Sequence, residues 1–218
     1  MDNKDLTLRI VAGADLCSGG KRLLDIGCGD GSLATLVKDK YDEVYGVDFS
    51  ESAVSLAKKK GVIVSNIDLN HDALPYENNF FDTVACLDVL EHVIDPLRLL
   101  KESFRVLKPE GTIILSTPNL QYIYNIIALV FKGRSPKTSA DTQGYDGGHL
   151  HYFTFKDIES LFGEAGFNDI ERFDLFDWVD LSLAGKIKNI VKSIFGRNLK
   201  RDIFSSLVIV RAKKNGRA

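Results

Sequence analysis

Over the first 117 residues, short strand-like apolar runs alternate with helical patterns, the signature of a parallel sheet with crossover helices on both faces. Arg22–Ile26 (RLLDI) predicts a first strand and Ser32–Lys40 the helix after it. Glu43–Val47 predicts a second strand, followed by a helix over Glu51–Lys60 that Gly61 closes, since glycine takes the left-handed conformation at a helix end without strain. Val62–Ile67 is the third strand. Phe81–Leu87 is almost continuously apolar, as expected of a strand buried on both faces. Pro96 then opens a helix over Leu97–Leu107, where its missing amide costs nothing, and Gly111–Ser116 makes the fifth strand. Thr154-Phe-Lys-Asp157 reads as a capping box opening a helix to Ala165. Gly166-Phe167 turns into a sixth strand near Asp169–Phe176, and Ile203–Arg211 is the last. Two insertions, 118–152 and 177–201, interrupt this alternation and are where substrate specificity is expected to reside. We read residues 1–218 as one α/β domain, with its ligand-binding half over about 20–117.

Composition narrows the class. With 218 residues, 44% hydrophobic and 27% charged, the chain can bury a full-sized core, which excludes disorder. Three cysteines, Cys17, Cys28 and Cys86, are too few for a disulfide-stapled secreted fold and fit a reducing compartment. The start Met1-Asp-Asn-Lys-Asp lacks a signal-peptide pattern, and no apolar run approaches the roughly 18 residues that span a bilayer. A cytoplasmic location is expected. Net charge is −2, yet Gly185–Ala218 holds ten Lys/Arg and one acid, a basic end on an acidic body.

The candidate chemistry begins at Asp25-Ile-Gly27-Cys28-Gly29-Asp-Gly31-Ser, which follows the first strand and opens a helix. Glycines there allow a sharp turn and close approach of backbone to a ligand. The spacing G-x-G-x-G departs from the dinucleotide fingerprint, and Asp25 suits an amino group better than a pyrophosphate. Asp48 ends the second strand, about 20 residues on, where a carboxylate can accept both hydroxyls of a ribose. Asp68, with Leu69 beside it, follows the third strand, placed to accept from an exocyclic adenine amine while the leucine packs on the ring. Three acids in step at consecutive strand ends point to a nucleoside ligand.

The segments LLDIGCGDGSL, GVDFSESAVSLAKKKG, ALPYENNFFDTVACLDVLEHVIDP and LKPEGTIILSTPN resemble the successive motifs of class I S-adenosylmethionine-dependent methyltransferases, and HLHYFTFKDIESLFGEAGF extends the likeness to Phe167. The resemblance implies a doubly wound, Rossmann-like sheet of seven mostly parallel strands, the last antiparallel. It implies S-adenosylmethionine as cofactor and S-adenosylhomocysteine as product. Asp25, Gly27, Cys28 and Gly29 would hold the amino-acid end, Asp48 the ribose, and Asp68, Leu69 and Phe49 the adenine, with Leu87 at the end of the fourth strand nearby. One departure lies at Asn66–Pro75, where related sequences often carry Gly-Asp before a shorter stretch to Leu-Pro.

Methyl transfer needs alignment of the acceptor and sometimes removal of a proton. Asp88-Val-Leu-Glu91-His92 follows the fourth strand at the mouth of the site, and its spacing predicts all three polar side chains on one helical face. It resembles the Glu-x-x-Glu-His of ubiquinone-biosynthesis O-methyltransferases, which implies a divalent-metal site; because Leu-Glu-His recurs without metal across the broader family, we expect none. His149, in His149-Leu-His151-Tyr-Phe-Thr, is a second candidate base or else a loop anchor. Glu91, His92 and His149 are thus the candidate catalytic residues. Ser116-Thr-Pro-Asn119 stands where base-amine methyltransferases carry Asn-Pro-Pro-Tyr, so a nucleic-acid acceptor is not expected.

Both insertions carry apolar stripes: Leu120, Ile123, Tyr124, Ile127, Val130 and Phe131 in the first, and Ile187, Ile190, Val191, Ile194 and Phe195 in the second. We expect them to fold as lids against the core; a basic amphipathic segment over 186–201 would also fit a membrane surface or a lipid tail. The expected function is methyl transfer to a small or lipid-linked acceptor, at oxygen. Two alternatives stay open: a non-catalytic S-adenosylmethionine-binding accessory protein, like the short methionine-biosynthesis proteins of this fold, and an RNA-directed enzyme using the basic C-terminal region. Oligomeric state has no signature in the sequence.

Overall fold

The computed structural model describes residues 3–134, 148–173 and 202–216. In chain order the elements are α1 (Asn3–Leu16), β1 (Gly20–Ile26), α2 (Ser32–Val37), β2 (Tyr41–Asp48), α3 (Glu51–Lys59), β3 (Ile63–Asn66), β4 (Phe81–Leu87), a 3-10 turn (Leu90–His92), α4 (Pro96–Val106), β5 (Leu107–Pro118), α5 (Ile123–Lys132), α6 (Phe155–Ala165), β6 (Asn168–Phe173) and β7 (Leu207–Lys213).

The strands form one seven-stranded sheet in the order β3-β2-β1-β4-β5-β7-β6. β1 pairs in parallel with both β2 and β4, whereas β7 runs antiparallel to β5 and β6. The period-2 alternation of the central strands divides their side chains between two cores. Leu24, Ile26, Val84, Cys86, Ile113 and Leu115 pack with Leu100 of α4 and Phe162 of α6, while Leu23, Ala85 and Ile114 pack with Ala12 and Leu16 of α1 and Leu33 of α2. Strands buried on both faces carry near-continuous apolar runs, which is why Phe81–Leu87 is readable from sequence alone despite Asp82 and Thr83.

Local chemistry sets the helix ends. Asp95 caps α4 by accepting from the Arg98 amide at 2.9 Å, and Pro96 follows it. At α6 the expected capping box is present: the Asp157 amide donates to Thr154 Oγ1 at 3.3 Å and the Thr154 amide to Asp157 Oδ2 at 2.8 Å. Gly166, at φ 100°, closes α6 in the left-handed conformation.

Several expectations are corrected. α1 has no counterpart in the pattern reading; its large apolar residues, among them Leu8, Ile10 and Leu16, are interrupted by the small Ala12, Gly13 and Ala14 and give little periodic signal. The helix after β1 stops at Val37 rather than Lys40. β5 extends from Leu107 to Pro118, beyond the expected Gly111–Ser116, because β4 pairs with its start through Phe81↔Leu107 and β7 with its end through Pro118↔Leu207. Residues 202–204 are helical, so the last strand starts at Leu207 and not Ile203. Residues 174–176 of the expected sixth strand and the whole insertion 177–201 lie outside the described residues.

Candidate active site

The sheet order reverses between β1 and β4, since the chain steps outward from β1 to β3 and then returns to the other side of β1. Ligands of open α/β sheets bind in the crevice at the carboxyl ends of the strands where this reversal occurs. A cavity of about 350 Å³ lies there, lined by Gly27, Asp48, Phe49, Ile67–Asn70 and, from the segment after β4, Asp88, Val89, His92 and Val93.

The glycine turn is shaped for close approach. Gly27 (φ 69°) and Gly29 (φ 51°) are both left-handed. A Cβ on Gly27 would press into Val89 Cγ2, whereas one on Gly29 would meet nothing within 4 Å, so the turn presents bare backbone beside open space. The Gly29 amide donates to Asp48 Oδ2 at 2.9 Å and the Ser50 amide to Oδ1 at 2.9 Å, which fixes the carboxylate at the rim. Phe49, next to it, is 79% exposed although it lines the cavity, an unusual place for a large aromatic ring without a ligand. Asp68 and Leu69 form the opposite wall on a loop that Arg98 holds through the carbonyls of Leu69 (2.7 Å) and Asp72 (3.1 Å).

Not every expected ligand reaches the wall. Asp25 lies buried within β1 beneath the turn, and burial together with the nearby Asp48 charge pushes its carboxyl up to about 8. Cys28 is buried with Ala34, Ala57 and Val62, its thiol pushed up to about 12 by that burial. Leu87 packs toward α1, where a Cβ on Gly13 would come within 2.7 Å of it.

The Asp88-Glu91-His92 motif is not one helical face. Asp88 stands in the left-handed region at φ 53°, and the helix that follows is the single 3-10 turn Leu90–His92. The two carboxylates part company because consecutive residues of β5 point to opposite faces of the sheet and each holds one of them. Ser116 Oγ donates to Asp88, which also pairs with Arg9 of α1. Thr117 Oγ1 donates to Glu91 Oε2 at 3.1 Å. Arg9 and Thr117 are therefore site residues that sequence reasoning missed; Arg9 had no assigned element, and Thr117 carried only the polar alternation at the end of β5.

On the Glu91 side the structure gathers all three candidate catalytic residues. Glu91, His92 and His149 each offer a donor atom within 4.8 Å of the other two. The His92 and His149 rings are 4.7 Å apart, and His92 Nε2 is 4.0 Å from Glu91 Oε1. His149 arrives from the far end of the first insertion because the Leu150 and His151 amides donate to the Glu91 carbonyl at 2.8 and 3.1 Å. Glu91 is 1% exposed and its Oε1 has no hydrogen-bond partner among the described residues. Burial first, then the Asp88 charge, push the Glu91 carboxyl well above the usual carboxylate range. Among the described residues Glu91, His92 and His149 are the group whose ligand atoms could hold a divalent cation, and Asp88, turned to Arg9 and Ser116, stands apart from it.

Known proteins share this framework. A family model described as a methyltransferase domain matches residues 2–172. A demethylmenaquinone methyltransferase of Staphylococcus epidermidis is 37% identical over 168 residues, covering 69% of each chain. A ubiquinone biosynthesis O-methyltransferase of Pseudomonas fluorescens is 36% identical over 116 residues, half of each chain. Among solved structures, an S-adenosylmethionine dependent methyltransferase from Mesorhizobium loti superposes with a TM-score of 0.68 at 22% identity, covering 96% of this chain and 99% of that one. The glycine turn, the sheet order and these relatives agree, and the chain belongs to the class I S-adenosylmethionine-dependent methyltransferases.

Proposed function

We propose that the chain transfers the S-adenosylmethionine methyl group to an oxygen of a small or lipid-linked acceptor. The observation that carries this reading is the convergence of Glu91, His92 and His149 beside the cavity, from segments more than fifty residues apart. The cofactor supplies an electrophilic methyl group on a sulfonium; the chain's residues bind, orient and deprotonate. Asp48, held by the Gly29 and Ser50 amides, keeps lone pairs for the ribose hydroxyls. Phe49 and Leu69 flank the adenine, Asp68 accepts from its amine, and Gly27 and Gly29 leave room for the amino-acid end. Glu91, raised by burial toward neutrality, accepts the acceptor's proton through or beside His92 and His149. The relatives named for demethylmenaquinone and ubiquinone biosynthesis support an acceptor of that chemical class, and the O-methyltransferase among them supports oxygen.

The test combines calorimetric titration of S-adenosylhomocysteine with a methyl-transfer assay against pooled small-molecule and lipid extracts. Asp48→Ala and Gly27→Val lose affinity by at least about tenfold, the scale of one lost charge-assisted bond or one forced backbone strain. Glu91→Gln keeps cofactor affinity and loses turnover. Unchanged affinity in the first two variants overturns the site; binding without turnover across all pools overturns the enzyme reading in favour of an accessory protein.

A further inference from the structure

The apolar stripe of the first insertion is half-buried at its start, at Leu120 and Ile123, and open to solvent beyond it. None of the ten residues of α5 is buried. Tyr124, Ile127, Val130 and Phe131, which share one face at helical spacing, are 67%, 39%, 65% and 81% exposed, and Leu129 beside them is 56% exposed. Single exposed apolar side chains are ordinary; five on one ten-residue helix are a patch that marks an interaction surface.

The helix is anchored at its start. The Tyr122 amide and Asn125 Nδ2 donate to the Asn119 carbonyl at 3.2 and 3.1 Å, and Asn119 Nδ2 in turn donates to the carbonyls of Asp202 (2.7 Å) and Ser205 (2.8 Å). From Leu129 to Phe131, at the end away from that anchor, every residue is exposed, and the exposed Lys132 and Arg134 follow. From Gly111 to Arg134 the chain carries no Asp or Glu, and these two cations are its only charges. Because α5 leaves the carboxyl end of β5, it stands at the same edge of the sheet as the cavity mouth.

We propose that α5 is a membrane-contact helix, seating the face of Tyr124, Ile127, Val130 and Phe131 in the headgroup region of an anionic bilayer with Lys132 and Arg134 on lipid phosphates. The charge is complementary to anionic lipid, and an apolar face ending in basic residues is the pattern of helices that lie in the interface. A second copy is a poorer occupant, because a ten-residue helix is about 15 Å long and its one face falls well short of the roughly 1,600 Å² that a standard interface buries. The apolar stripe within 177–201 is a poorer one too, since Lys186, Lys188 and Lys192 bring the same sign of charge as Lys132 and Arg134. The contact deepens the proposed reading of a lipid-linked acceptor by bringing the mouth of the site to the surface where such a molecule resides, and it is measured without turnover.

The experiment is flotation of the full chain with phosphatidylcholine vesicles, with and without phosphatidylglycerol, at low and high salt, with S-adenosylhomocysteine affinity measured on each sample. The wild type floats with the anionic vesicles and is released by salt. Val130→Ser with Phe131→Ser lowers partitioning on the order of a hundredfold, the effect of withdrawing two apolar side chains, and leaves cofactor affinity unchanged. Lys132→Gln with Arg134→Gln lowers it on the order of thirtyfold on anionic vesicles and leaves the weaker binding to neutral vesicles unchanged. A wild type that does not float, or floats equally well in both variants, overturns the proposal. So does a dimer in solution that the Ser variants dissociate, which would assign the face to a second copy. Loss of cofactor affinity in the wild type would instead strike the proposed function and leave the membrane contact to stand or fall on flotation.

Discussion

Asp25 shows how one buried side chain can report on a ligand. Burial and the nearby Asp48 push its carboxyl up to about 8 in the folded chain from 3.8, so between those values the folded state holds a proton that the unfolded state has released. The apo protein is therefore expected to lose stability as pH rises through that window, the reverse of the usual salt-bridged carboxylate. A cationic amino group bound above the glycine turn favours the carboxylate and flattens the slope. Chemical denaturation across pH, with and without S-adenosylhomocysteine, checks this: Asp25→Asn should abolish the ligand-sensitive part of the slope, and an unchanged slope would refute the assignment. The strand-end acids and glycines were legible because each obeys a local rule. Arg9, Thr117 and the pairing of His92 with His149 were not, because their partners are 79, 26 and 57 positions away.

Among the elements, α6 is the one whose local chemistry is complete in sequence and in structure. Thr154→Ala removes the side-chain half of the capping box and should cost about 1 kcal/mol, lowering the melting temperature by a few degrees at this chain length; Thr154→Ser should restore it. The Asp88 segment failed for a reason equally local in origin. Helical spacing at 88, 91 and 92 presumes a continuous helix, but the residue that leaves β4 adopts a left-handed conformation and only a 3-10 turn follows. That conformation is held by β5, whose Ser116 and Thr117 take one carboxylate each. α5 failed differently: periodicity identifies an apolar stripe but says nothing of what covers it.

The ion pair between Arg9 and Asp88 joins the N-terminal helix to the centre of the site, with side chains only 12% and 6% exposed. Removing one partner of such a pair leaves a buried charge, so Arg9→Met should destabilise by about 3 kcal/mol, whereas Arg9→Met with Asp88→Asn should recover much of the loss. Urea denaturation of the four proteins in that cycle measures the coupling; additive effects would show that α1 is not tied to the site in this way. Alternating apolar strands and helices, the glycine turn and the step of acids were set by local sequence, because backbone conformation, helix caps and face alternation depend on near neighbours. The antiparallel seventh strand was legible only through the family motifs. The sheet's return past β1 created the cavity, β5 sorted the two carboxylates to opposite faces, and the insertion's end delivered His149 to Glu91. Those outcomes depend on contacts between residues far apart in the chain, and only packing in three dimensions decides which of them form.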